Sequence, residues 1–243
     1  MSIIPGKIWP WQNPTSNMKR GAFIVIEGLD RAGKTTQVRR LCDKLYSLGY
    51  NIKEIKFPVL DRTSPIGKMI DSYLQDSIQM DDHAIHLLFA ANRWEKSCVG
   101  KSSQSEPRAK HFQKMDSRES FKWLHHSCSK NDPSLSLEWA RTCDVGLPCP
   151  DIVFFLDLEP SEAEKRGGYG AEKYEKKEMQ ERVRGIFHSL LQLDTQDARM
   201  QVINAGTSEE VVESKIFNAV YGFLESKDGI GMKTQIDKIK PLP

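Results

Sequence analysis

The chain has 243 residues, with 35 Lys and Arg against 33 Asp and Glu, hence a formal net charge of +2. No apolar run approaches the roughly 20 residues of a membrane-spanning helix, and so small a charge predicts neither a nucleic-acid nor a membrane partner. The length suits one α/β domain, or at most two small ones, with a sizeable core, and five cysteines without a secretory signal predict a reducing, intracellular setting.

Residues 1–20 carry Pro5, Pro10 and Pro14 and no acidic residue, which predicts an extension without helical period. The run Ala22-Phe23-Ile24-Val25-Ile26 reads as a strand buried on both faces of a parallel sheet. Directly after it, Gly28-Leu29-Asp30-Arg31-Ala32-Gly33-Lys34-Thr35 has the spacing G-x-x-x-x-G-K-[ST]. Val38, Leu41, Leu45 and Leu48 then recur at helical intervals up to Gly49, a plausible stop. Glycines let such a loop curl so that its N–H groups face phosphate oxygens, and the following helix adds a fixed partial positive charge. Lys34 is positioned to reach the β- and γ-phosphates of a nucleotide and the Thr35 hydroxyl to ligate Mg2+. Asp30 and Arg31 put a carboxylate and a guanidinium where the transferred group would sit. The N-K-x-D motif of GTPases is absent.

The segment Glu27-Gly28-Leu29-Asp30-Arg31-Ala32-Gly33-Lys34-Thr35-Thr36-Gln37 resembles the phosphate-binding loop of eukaryotic and poxvirus-type thymidylate kinases. Those enzymes move the γ-phosphoryl of ATP onto dTMP. The resemblance implies that Gly28 through Thr36 and Arg166 bind ATP, with Thr35 on Mg2+. It also implies that Arg31, Lys34 and Asp30 act in catalysis, Arg31 by stabilising charge on the migrating phosphoryl, and that Asp30 also faces dTMP. A second strand, Ile52–Phe57, leads into Phe57-Pro58 and Arg62, similar to the family's Phe-Pro-x-Arg segment but with two extra residues. Phe57 and Arg62 are accordingly expected on the monophosphate side. Asp82 to Glu95, with Asp81 or Asp82 as cap, matches the family's substrate helix. Phe89 and Arg93, four apart, share one helical face. By residue type alone Phe89 reads as core; the resemblance makes it the ring that stacks on the pyrimidine, with Arg93 meeting the base edge or phosphate. His83 and His86 read as surface or structural residues.

Asp144-Val145-Gly146-Leu147-Pro148 leads through Pro150-Asp151 into a buried strand, Ile152 to Asp157. Asp157 reads as a strand-end residue without a metal role. Ser161 and Glu164 form a capping-box pattern for the next helix. Lys165 to Glu175, with three glycines, resembles the family's lid; this implies that Arg166 reaches ATP while Tyr174 and Gln180 face dTMP. Met200 to Ala205 reads as a last strand, and Ser208 as the cap of a helix carrying Val211, Val212, Ile216, Val220 and Phe223. The tail from Lys227 to Pro243 shows no such order.

Between Glu95 and Asp144 the family carries a buried strand ending in Asp-Arg-Tyr. Here residues 98–133 hold seven Lys or Arg and four Asp or Glu, a surplus of three that leaves the rest of the chain at −1. No four-residue apolar run exists there, so the stretch reads as unable to fill a central strand slot. Asp116 and Arg118 are one residue too far apart for the motif. A one-base frame shift over Lys122 to Asn131 permits a Ser-Gly opening, a small-residue run and a basic residue, similar to the family's next helix, which suggests a replaced segment.

The expectation is a three-layer α/β P-loop fold of the nucleoside monophosphate kinases, over residues 21–226, with a parallel sheet and a disrupted central strand. The expected activity is ATP-dependent phosphorylation of dTMP, reduced by the replaced segment. The alternatives are a kinase for another nucleoside monophosphate and a nucleotide-binding protein without turnover. ATP and Mg2+ are the expected cofactors and dTMP the substrate. The resemblance further implies a homodimer, and a cytoplasmic location is expected with nucleus and mitochondrion left open.

Overall fold

A computed structural model of the chain describes residues 22–57, 64–97, 111–117, 135–166, 177–192, 199–226 and 237–240. Among these lie five strands, β1 Ala22–Gly28, β2 Asn51–Phe57, β3 His111–Ser117, β4 Ile152–Asp157 and β5 Arg199–Asn204. The helices are α1 Lys34–Ser47, α2 Pro65–Leu74, α3 Asp82–Ser97, α4 Leu137–Thr142, α5 Pro160–Lys165, α6 Lys177–Gln192 and α7 Glu209–Glu225. The strands form one sheet in the order β2-β3-β1-β4-β5, and every pairing is parallel.

Burial explains why β1 and β4 read as continuous apolar runs. Ala22, Ile24 and Ile26 of β1 pack with Phe154 and Leu156 of β4 against Val38, Leu41 and Leu45 of α1 and Val212, Ile216 and Val220 of α7. The alternate residues face the other way. Phe23 and Val25 meet Val153, and Phe155 packs with Val183 and Phe187 of α6 and Ala140 of α4. Period-2 side-chain alternation in a sheet covered on both faces thus fills two cores from one uninterrupted sequence. A third cluster joins α2 to α3 through Ile70, Tyr73, Ile85 and Phe89.

The helix ends follow the residues expected at two places and depart at a third. Ser208 caps α7, its hydroxyl accepting from Val211 N at 3.4 Å. Asp81 caps α3, its carboxylate accepting from His83 N at 2.9 Å and Ala84 N at 3.4 Å. The capping box expected from Ser161 is not what opens α5. The cap position is Glu159, without a side-chain hydrogen bond, and Pro160 is the first helical residue. Proline's fixed φ suits that position and its missing N–H loses nothing there, so the helix starts before the serine.

Two further expectations are corrected. The slot expected to stand disrupted is filled: β3 pairs with β2 over seven positions, Asn51↔His111 to Phe57↔Ser117, and with β1 over five, Ala22↔Phe112 to Ile26↔Asp116. A central strand is placed by backbone ladders on both sides, and that non-local pairing overrides the weak apolar pattern of HFQKMDS. The tail also contributes structure. Residues 237–240 return to the segment after α4, with Gly146 N donating to Ile239 O at 3.0 Å, Ile239 N to Leu147 O at 2.9 Å and Cys149 N to Asp237 O at 2.7 Å. The extension expected over residues 1–20 lies outside the described residues.

Candidate active site

In an open parallel sheet, ligands bind beyond the carboxyl ends of the strands, where successive connections leave in opposite directions. Here that place is the end of β1: the chain runs from β1 outward to β2, back to β3, and then across to β4. The loop Gly28–Gly33 sits there. Gly28 has φ 152°, and a Cβ on it would stand 2.7 Å from the carbonyl oxygen of Leu156 and 2.9 Å from that residue's Cβ. The strand β4 therefore lies directly behind the loop, and only glycine fits. Gly33, at φ 86°, supplies the left-handed turn into α1, whose cap makes no side-chain hydrogen bond. Arg31 is also left-handed, at φ 62°.

Lys34, 6% exposed, folds back over this loop. Its Nζ donates to Gly28 O at 2.7 Å and to Leu29 O at 2.8 Å, and it lies 3.9 Å from Asp30 Oδ1. The carbonyls hold the ammonium at the loop's mouth, where an arriving phosphate oxygen can replace them as partner. Thr35 is exposed on the first turn of α1 and Thr36 half-buried beside it. The site also gathers residues from distant parts of the chain. Gln180 on α6 bridges Asp30 in both directions: its Nε2 donates to Asp30 Oδ2 at 3.1 Å, and its Oε1 accepts from Asp30 N at 3.3 Å. Arg166, at the end of α5, donates from Nη1 to Arg31 O at 3.0 Å and from Nη2 to Ala205 O at 2.6 Å.

This arrangement fits a polyphosphate. An uncapped helix N-terminus, a curled glycine loop and a buried ammonium supply N–H dipoles and positive charge on one concave edge. For Mg2+, the exposed Thr35 hydroxyl is a hard oxygen donor on the same turn.

The expected substrate helix is α3. Phe89 is 3% exposed and packs with Ile70, Tyr73 and Ile85. Arg93 is turned toward the segment after α4, its Nε donating to Asp144 Oδ1 at 2.9 Å. Burial pushes the Asp144 carboxyl above the usual carboxylate range, with Arg93 pulling the other way. His86 has a structural partner, its Nε2 lying 3.0 Å from Ala140 O. Phe57 ends β2 beside Ser117 in the ladder. Arg62, Tyr174 and the lid segment 167–176 lie outside the described residues.

Asp157, read as a strand-end residue, is bonded to α6. Arg184 meets it with Nε at 2.5 Å and Nη2 at 3.0 Å, reaches Glu159 Oε1 with Nη1 at 2.5 Å, and His188 Nε2 stands 3.3 Å away. These hydrogen bonds, Asp157 first, raise the Arg184 pKa above its ordinary value.

For three residues the sequence reading misses the structural partner. Arg184 is four residues after Gln180 and His188 four further, a single helical stripe that periodicity could have flagged. Asp144 pairs with a residue 51 positions away, which no local pattern reveals. Asp116 occupies the β3 position opposite Ile26, two residues before Gly28, and only the ladder register identifies it.

The comparisons with known proteins agree with this geometry. A family model described as thymidylate kinase matches residues 26–216. The chain is 40% identical over 198 residues to a thymidylate kinase of Homo sapiens, covering 82% of this chain and 89% of that one. It is 44% identical over 207 residues to that of Schizosaccharomyces pombe, covering 84% and 94%. Its fold matches the thymidylate kinase structure from Candida albicans with a TM-score of 0.69 and 32% identity, over 91% of this chain and 99% of that one. With that family model over most of its length, relatives at 40% and 44% identity and a five-stranded parallel sheet, the chain belongs to the thymidylate kinase family.

Proposed function

We propose that this chain transfers the γ-phosphoryl group of ATP to dTMP, giving ADP and dTDP. An oxygen of the dTMP phosphate attacks the γ-phosphorus in line, and the bond to the β,γ-bridging oxygen breaks. Phosphoryl transfer of this kind rests on positioning and on stabilising charge, with no covalent intermediate required. The observation that carries the reading is Lys34 bound over the Gly28 and Leu29 carbonyls, at a loop that Gln180 and Arg166 approach from two other elements.

That placement supports the roles given to the loop, Lys34, Arg166 and Gln180, and the family resemblance those of Phe57, Arg62 and Tyr174. The loop N–H groups from Gly28 to Thr36, with α1 behind them, hold the β- and γ-phosphates. Lys34 exchanges its carbonyl partners for phosphate oxygens, Arg31 meets the charge of the migrating group, and Arg166 closes the ATP side. Thr35 would hold Mg2+, which when bound neutralises charge on the β- and γ-oxygens. Asp30, fixed by Gln180, faces the dTMP phosphate. Phe89 and Arg93, joined by Phe57, Arg62 and Tyr174, receive the nucleoside monophosphate.

A coupled assay of ADP release tests this. The expected result is turnover with dTMP that Lys34→Met abolishes; no turnover with dTMP beside brisk turnover with another nucleoside monophosphate would redirect the assignment. Such a panel is apt because the thymidylate kinase of Candida albicans has broad substrate specificity.

A second reading has its own support. Residues 98–133 lack the Asp-Arg-Tyr triplet, because Ser117 separates Asp116 from Arg118. We infer that this segment is a replacement of the family's and that turnover is reduced, with ATP binding retained. Turnover above about 1 per second would overturn the inference, as would independent transcripts carrying an uninterrupted frame with no shifted alternative. We also propose a homodimer in the cytoplasm: Met69 on α2 and Leu87 on α3 are 45% and 50% exposed, and light scattering reads the mass directly.

A further inference from the structure

Arg93 and Asp144 are the most enclosed ion pair among the described residues whose partners are identified, at 6% and 8% side-chain exposure. The geometry of their contact is lopsided. Nε donates to Oδ1 at 2.9 Å, and Nη2 stands 2.8 Å from the same oxygen but is not aligned to donate to it. A guanidinium has five N–H donors in a rigid fork. One is fixed on Asp144, while Nη2 is buried with its hydrogens unspent. A buried donor left without an acceptor is costly, and a ligand acceptor placed there would remove that cost.

Asp144 is itself held rigidly. Its N donates to Arg141 O at 2.9 Å, and its carbonyl accepts from Leu147 N at 3.0 Å. The turn is tied to α3 by Trp94 Nε1, which donates to Cys143 O at 2.9 Å, and by Gly146, whose added Cβ would stand 3.3 Å from the Trp94 ring. From the opposite side the C-terminal residues 237–240 bond to Gly146, Leu147 and Cys149.

We propose that Asp144 is a positioning residue for nucleoside monophosphate recognition: it locks the Arg93 guanidinium so that Nη2 is presented, already desolvated, to an acceptor on the substrate. This rests on the assignment of Arg93 to the monophosphate site. It adds that the selectivity of the site depends on a carboxylate that never touches substrate. A free arginine would sample many rotamers and hold its water; one fixed by a buried carboxylate loses neither on binding.

The test compares Arg93→Ala, Asp144→Asn and Asp144→Ala in the full chain, measuring KM for dTMP, KM for ATP, kcat and the thermal midpoint. Asparagine keeps an oxygen for Nε and removes only the charge, so it also serves where alanine fails to fold. Arg93→Ala is expected to raise KM for dTMP, and Asp144→Asn to raise it about 10- to 100-fold, the worth of a charge-assisted hydrogen bond. KM for ATP is expected within about twofold of the unaltered chain. If Arg93→Ala leaves KM for dTMP unchanged, the site assignment fails. If Arg93→Ala raises it and Asp144→Asn does not, the positioning role fails while the site stands. If Asp144→Asn lowers the thermal midpoint and weakens dTMP and ATP alike, or does not fold, the pair is purely structural and the proposal is overturned.

Discussion

The loop's first glycine offers the most direct test of how the fold shapes the site. An alanine at Gly28 must place its Cβ 2.7 Å from Leu156 O and 2.9 Å from Leu156 Cβ. Neither is the end of a flexible side chain. Leu156 belongs to β4, which is bonded to β1 on one side and β5 on the other, so β4 cannot give way and the loop must. The backbone adds a second cost, because φ 152° lies where side chains are rarely tolerated, a strain of about 1–3 kcal/mol. With a further 1–3 kcal/mol for the overlap, Gly28→Ala should lose about 2–6 kcal/mol of stability, or about 4–24 °C in melting temperature at 2–4 °C per kcal/mol. Displacing the loop carbonyls also removes the partners of Lys34, so ATP affinity should fall with stability. Urea unfolding and calorimetric ATP titration read the two effects. Gly49→Ala is the control: it has φ +80° but nothing within 4 Å, so only the left-handed backbone, about 1–2 kcal/mol, is at stake. If Gly28→Ala unfolds within about 1 kcal/mol of the unaltered chain and binds ATP as well, the close approach of β4 does not constrain the loop.

Three further outcomes follow from the packing and the charges. Phe155 is fully buried and stacks on Phe187 of α6 at 4.2 Å, so Phe155→Ala should cost about 3–5 kcal/mol in urea unfolding; a loss under about 1 kcal/mol would mean that α6, which carries Gln180, is anchored elsewhere. The Glu213 carboxylate, between Lys44 at 2.5 Å and Arg40 at 2.8 Å, is held below its ordinary value of 4.5, by Lys44 foremost and then Arg40. Because its folded pKa is depressed, its stabilisation is present above pH 4.5 and disappears as pH falls through the folded pKa. The melting-temperature gap between the unaltered chain and Glu213→Gln should therefore close on acidification, and a gap that widened would contradict the pair. Ile239→Pro removes the N–H that donates to Leu147 O. A modest stability loss of about 0.5–1.5 kcal/mol is expected, with KM for dTMP raised about two- to tenfold through the Asp144 turn, and an unchanged KM would separate the C-terminal segment from the site.

What could be read in the sequence was local. β1 and β4 are legible because burial on both faces leaves Ala22–Ile26 and Ile152–Leu156 without a polar position, and Ser208 and Asp81 because a cap is decided within three residues. The loop from Gly28 to Thr35 is legible because its glycine and lysine spacing is a local pattern. The rest depends on partners far away in sequence. HFQKMDS has no strand signature of its own, and only the ladders to Asn51–Phe57 and Ala22–Ile26 identify its place. Asp144 looks like an ordinary turn residue until Arg93 is brought to it across 51 positions. Even the start of α5 was decided by Pro160, one residue ahead of the serine that the capping pattern favoured.

The division between local and non-local information matters for how the site is held. Arg31 at φ 62° and Gly28 at φ 152° are conformations the loop would not keep alone, the Arg31 side chain in such a region costing about 1–3 kcal/mol while Gly28 has no side chain to strain. What offsets them is the sheet on either side. Ile24, Ile26, Phe154, Phe155 and Leu156 are all essentially unexposed, and each such side chain is worth about 1.5–3 kcal/mol of burial. The strain is therefore small beside the burial that fixes the loop's two flanks, and the loop has little freedom to relax. Rigidity then reaches the chemistry by three routes: β1 fixes Gly28, α6 fixes Asp30 through Gln180, and α5 fixes the Arg31 carbonyl through Arg166. A loop so constrained presents its N–H groups to phosphate without reorganising first, which is the condition under which fixed dipoles stabilise a transition state most.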